Sequence, residues 1–156
     1  MDQKRLIGIA ASLMARNEIC VAVDWWTEQL FKVARHDAGD PSGRVEMFAM
    51  LAQSRLDRPT ERQIARFRFV LTALTTCLCA DSWNEDEPKW GSANRTLATD
   101  YGPDSTLRCA LEYAGISGGN LLLPIKTTLW ISPSSVKVRP GYSGKEVVLF
   151  PMAGEE

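Results

Sequence analysis

Apolar side chains recur every three or four residues through the first half of the chain and every second residue through much of the second half. That change of period divides the sequence. In RLIGIAASLMARNEI, the residues Leu6, Ile9, Ala10, Leu13 and Met14 share one face of a helix. A second helix runs through VAVDWWTEQLFKVARH with Val23, Trp26, Leu30, Val33 and Ala34 inward; the adjacent Trp25 and Trp26 cannot both be buried equally. After the turn DAGDPSG, a third helix places Val45, Phe48, Ala49 and Ala52 together, with Ser42 as its cap. A fourth begins at Pro59, the position where a missing N–H costs nothing, and ends near Ala80. Ile64, Phe67, Leu71, Leu74 and Leu78 line its inner side, and VLTALTTCLCA is apolar nearly all round, as suits a central helix.

From Asp81 to Asn94 the texture changes to an acidic cluster with a proline, a glycine and two tryptophans, which reads as a connection. RTLATDY then alternates like a half-buried strand. PDSTLRCALEYAGI is a short helix with Pro103 near its first position, Asp104 facing the positive end of the dipole and Gly115 as its stop; Leu107, Ala110, Leu111 and Ala114 face the core. The segments IKTTLWI, SVKVR and EVVLF are rich in β-branched and aromatic residues and are separated by turns, so they read as three more strands. Hairpins following Ile131 and Arg139 make these last three antiparallel.

The order of helices then strands predicts an α+β fold. About four N-terminal helices (1–80) pack through a connection (81–94) onto a β-α-β-β-β unit (95–150) with a mainly antiparallel sheet. A chain of 156 residues suits a single domain.

Composition narrows the functional classes. The net charge of -1 argues against a surface that is basic throughout, although the halves differ mildly, +2 for residues 1–80 and -3 for 81–156, which would also permit head-to-tail self-association. Charges in the first eighteen residues exclude a signal peptide, and no apolar run is long enough for a membrane span, so the reading is a soluble, cytoplasmic protein. Cys20, Cys77, Cys79 and Cys109 read as reduced thiols among apolar neighbours. The Cys77–Cys79 spacing lacks the second pair or histidines of a zinc site, and neither a metal nor a cofactor is implied. His36 suits the negative end of its helix.

The loop GYSGKE raises the question of phosphate binding. Gly141 and Gly144 are only two residues apart, Glu146 stands where Ser or Thr is required, and VVLF continues as a strand, so a hairpin turn is expected. Tyr142 and Lys145 still project from it as binding residues. Trp83, Glu85, Asp86, Glu87 and Trp90 form an acidic and aromatic surface suited to a protein partner. Arg58, Arg62 and Arg66, with Arg55 nearby, form a stripe on the fourth helix that suits nucleic acid or an acidic partner. Asp100 and Asp104 flank a strand-to-helix turn, a third reading in which they serve a small enzyme as acid and base. The leading expectation is a regulatory interaction protein of bacterial or phage type, an inhibitor or adaptor that binds a macromolecular partner. A nucleic-acid-binding regulator stands second.

Overall fold

The computed structural model describes residues 4, 7, 8, 12, 16–31, 58–142 and 144–151, with the side chains of 120 and 121 excepted. Lys4, Ile7, Gly8 and Ser12 are helical, but Arg16 is not, and helix α1 runs from Asn17 to Phe31. Ile19, expected at the end of a first helix, therefore sits in the first turn of α1. Buried Glu18 explains why this turn is anchored: its carboxylate accepts the backbone N–H of Ser134 at 2.9 Å. Trp26 is fully buried and Trp25 only partly, with the two rings edge to face at 4.9 Å.

Helix α2 spans Glu61–Ala80. Pro59 does not start it. Thr60 is the cap, its hydroxyl accepting from the Gln63 N–H at 3.2 Å while the Gln63 side chain accepts the Thr60 N–H at 2.9 Å, a reciprocal capping box. Arg58 consequently lies outside the helix, and the expected stripe of three arginines reduces to Arg62 and Arg66 on α2.

Helix α3 spans Ser105–Ala114 and is capped by Asp104, with Pro103 one residue earlier in a bridge to Thr99. One Asp104 oxygen accepts the Leu107 N–H at 2.9 Å and the other reaches back to the Ala98 N–H at 2.7 Å, tying strand to helix. Gly115 ends α3 at φ +70°, and the following Ile116 is buried. Three helices of more than one turn thus have bounds among the described residues, and two of them, α1 and α2, precede the strands where four were expected. The helix expected around Val45–Ala52, with Ser42, and also His36 and Arg55, falls outside the described residues. After Ile116 the chain makes a single helical turn at Gly119–Leu122.

The strands β1 (Thr96–Thr99), β2 (Thr127–Ser132), β3 (Ser135–Arg139) and β4 (Val147–Phe150) form one fully antiparallel sheet in the order β1-β2-β3-β4. Leu97, Leu129, Ile131, Val136 and Val138 point to one face, where they meet Ile19, Val23 and Trp26 of α1 and Leu107 and Leu111 of α3 in one core. Alternation puts their neighbours on the other face. α2 packs against both α1 and α3 and contributes Ile64, Phe67, Leu71 and Cys79.

At the entry to β1 the core holds a charge. Arg95 is completely buried, yet every hydrogen bond of its guanidinium goes to a neutral oxygen: the Ile131 carbonyl at 3.0 Å, the Trp90 carbonyl at 2.9 Å, the Pro88 carbonyl at 2.7 Å, the Ser82 hydroxyl at 3.0 Å and the Ser82 carbonyl. These bonds hold the connection between α2 and β1 against the sheet. Gly91 takes part at φ +66°, where an added Cβ would come within 2.6 Å of Ser82 Cβ. An Arg95→Met variant leaves several buried acceptors unpaired, and it should lose about 3 kcal/mol or more of stability. Urea unfolding measures this; exposed Arg58→Met, as the comparison, should change the midpoint little.

Candidate protein-binding surfaces

The outer face of the sheet follows directly from its register. Thr96 pairs with Trp130, Trp130 with Lys137, and Lys137 with Val148, so one row crosses all four strands. Thr128 and Arg139 form the neighbouring pair, and the Arg139 guanidinium lies 5.6 Å from the centre of the Trp130 ring, a cation–π contact. Lys137 is held by Glu146 at 2.9 Å. Trp130 is partly exposed and Val148 largely so. Helices α1 and α3 reach the sheet from the core side, so no described helix covers this row. Sequence reasoning placed Trp130 in a strand but not in a site. The signal was present in TTLWIS, where Trp130 alternates with the inward Leu129 and Ile131.

The connection meets the same region. Its last turn, Ser92–Asn94, leads through Arg95 into Thr96, next to Trp130. Trp90 is 57% exposed, whereas Trp83 is half-buried beneath the Arg16 guanidinium, 5.5 Å from its ring centre. Arg16 also pairs with Glu85. Asn84 accepts the backbone N–H groups of Asp86 at 3.0 Å and Glu87 at 3.2 Å, which leaves both carboxylates exposed on a tight turn. The five residues expected to act together are therefore split: Trp83 and Glu85 clasp Arg16, while Asp86, Glu87 and Trp90 face solvent.

Tyr142 belongs to another cluster. Its hydroxyl donates to that of Tyr101 at 2.8 Å, and Lys126 Nζ lies 4.4 Å from the Tyr101 ring centre and 5.6 Å from that of Tyr142. Lys126 also pairs with Asp100. The bond to that carboxylate raises the lysine pKa above its ordinary value, and the Tyr101 hydroxyl raises that of Tyr142, so the first stays charged and the second neutral near pH 7. Asp100 is thus engaged by a lysine and Asp104 by two backbone N–H groups. Lys145 is exposed on the hairpin loop, which joins β3 to β4 as expected for GYSGKE.

An open cleft of about 470 Å³ lies between the end of α2 and the start of α3, lined by Cys77, Asp81, Asn94, Thr96 and Asp104 among others. Cys77 is exposed there, while Cys79 points into the core, where burial pushes its thiol up to about 12 against the pull of the Arg95 charge. The two sulfurs therefore do not share a site, and no group of three metal-ligating side chains occurs among the described residues.

The BTG family matches residues 42–150 of the chain. The chain belongs to the BTG family. Among solved structures it is similar to the BTG/Tob domain of C. elegans FOG-3, with a TM-score of 0.58 and 19% sequence identity over 85% of this chain and 79% of that one. At that identity the likeness concerns the fold. No curated protein matches the chain. BTG-family proteins are regulatory adaptors that bind protein partners, which bears out the expectation of a regulatory interaction protein in its general form. The family is eukaryotic, so the expectation of a bacterial or phage-type protein is corrected. No helix among the described residues is long and apolar enough to cross a membrane.

The cysteine geometry generates a chemical test. In the native protein a thiol alkylating reagent should modify Cys77 readily and leave Cys79 unmodified until the protein is unfolded, as read by mass spectrometry of the digested protein. Rapid native labelling of Cys79 would place it outside the core.

Proposed function

We propose that this chain is a BTG-family adaptor that docks a protein partner on the outer face of its sheet, with Trp130 at the centre of the contact. The observation that carries this reading is the partly exposed Trp130 held by Arg139 in a row across four strands. A tryptophan braced in one orientation loses little freedom when a partner covers it, and Trp and Arg supply a large share of binding energy at interfaces. Lys137, paired with Glu146, lies between Trp130 and the apolar Val148, so the row carries both apolar and charged contacts.

The connection extends the surface at the β1 edge. Trp90 offers a second exposed aromatic side chain on the connection, where Asp86 and Glu87 add exposed negative charge. Exposed charges of this kind orient a partner of complementary charge. BTG-family adaptors include ones that bind the CCR4-NOT deadenylase, so a recombinant deadenylase subunit of that complex is the partner to titrate first.

Calorimetric titration tests the reading. Trp130→Ala should weaken binding by about thirtyfold or more, the size of a central hot spot, with an unchanged unfolding midpoint. Trp90→Ala should weaken it by less. Wild-type affinity in a folded Trp130→Ala protein would remove the outer sheet face as the docking surface.

A further inference from the structure

On the helical side of the molecule, away from the outer sheet face, two arginines share α2 with Phe69 near the end of α3 that carries Tyr113; these are the two most exposed large aromatic side chains among the described residues. Arg62 and Arg66 are one turn apart on the solvent side of α2, about 6 Å along its axis. Neither has an ion pair or hydrogen-bond partner among the described residues, whereas Arg68, on the flank toward α1, is paired with Asp24 at 2.7 Å. Phe69 follows Arg66 by three residues on the same side and is 71% exposed. Tyr113 of α3 is 75% exposed. The Gln63 side chain donates to the Gly115 carbonyl at 2.8 Å, and this contact sets the end of α3, with Tyr113, alongside the turn of α2 that carries Arg62 and Arg66.

Single exposed aromatics are ordinary, and so are single exposed arginines. Their combination is not explained by folding. Neither ring packs into the core, the two guanidiniums pair with no carboxylate among the described residues, and Glu61 and Glu112 are the nearest acids in sequence on α2 and α3. Flat rings open to solvent beside unneutralised guanidiniums supply the two contacts that bind an unpaired strand: stacking for bases and charge for phosphates. An acidic protein would use the arginines but not the ring faces. A duplex would present phosphates but no free base faces.

We propose that the surface formed by Arg62, Arg66, Phe69 and Tyr113 binds single-stranded nucleic acid. It is separate from the Trp130 surface, with the helical layer and the sheet between them, so the adaptor can hold a strand and a protein partner at once. The sites do not depend on each other. Trp130→Ala therefore leaves strand binding intact, and loss of strand binding leaves the protein contact intact.

Fluorescence anisotropy of the full chain with labelled single-stranded RNA and DNA of about 12 nucleotides tests this directly. Binding should appear with a dissociation constant below about 100 µM at low salt and weaken as salt rises. Arg62→Glu with Arg66→Glu should weaken it at least about tenfold and make the salt dependence shallower, and the milder Arg62→Gln with Arg66→Gln should act in the same direction without changing the unfolding midpoint. Phe69→Ala with Tyr113→Ala should weaken it about fivefold or more while the salt dependence stays the same. Tighter binding of RNA would identify the sugar hydroxyl as a further contact, and equal binding would assign recognition to bases and phosphates alone; either agrees with the proposal. Four results would overturn it: no binding by the wild-type chain, binding that ignores the arginine variants, binding that ignores the aromatic variants, or displacement by polyglutamate as effectively as by an unlabelled strand. The last would make the patch a site for an acidic protein.

Discussion

A single guanidinium, that of Arg95, joins parts of this chain that would otherwise be independent. Burying a cation without a carboxylate is costly, and it is tolerated here because neutral oxygens from the connection and from β2 surround it. The same bonds fix where the chain goes after α2. Ser82, Pro88 and Trp90 converge on one side chain, so a segment with little apolar content acquires one conformation. Burial also lowers the arginine pKa from its ordinary value, but the neighbouring Cys79 thiol, itself raised, stays neutral and does not compete with the carbonyls for the charge.

The arrangement of surfaces follows from that anchoring. Once the connection is fixed, Thr96 enters the sheet in a register that sets it opposite Trp130, and the period of the strand sends Leu97 and Leu129 inward together. The described helices then lie on the inner face. The outer face is left with Trp130, Arg139, Lys137 and Val148, a composition suited to a protein contact. On the far side, α2 is held between α1 and α3 by its apolar face, and its opposite face is free to carry Arg62, Arg66 and Phe69. Layered α+β architecture thus leaves two separate faces exposed among the described residues.

Much of the fold was legible because short-range rules agreed with tertiary packing. β2 and β3 alternate as their sequences imply, Trp26 rather than Trp25 takes the core, and Gly115 stops α3. The helix starts were less legible. Pro59 suggested the first helical position, but the capping box of Thr60 and Gln63 satisfies the free N–H groups one step later and shifts the boundary. Arg16 interrupts what reads as a continuous amphipathic pattern. The sites were harder still. Arg95 looks like a surface residue in a polar segment, since nothing local says that four separate carbonyls will close around it. Trp83 and Trp90 look equivalent in sequence, yet Arg16, from the other end of the chain, covers one and leaves the other exposed. Such pairings at long sequence separation are settled by packing alone.

The five tryptophans offer the most direct view of the docking surface, because each indole N–H gives its own resonance in a proton–nitrogen correlation spectrum. Titrating the isotopically labelled chain with an unlabelled deadenylase subunit would show which of them meets the partner. Adaptor binding through the outer sheet face predicts a large shift or broadening at Trp130, a smaller one at Trp90, and none at fully buried Trp26. Saturating the chain while the Trp130 resonance stays in place would contradict that account.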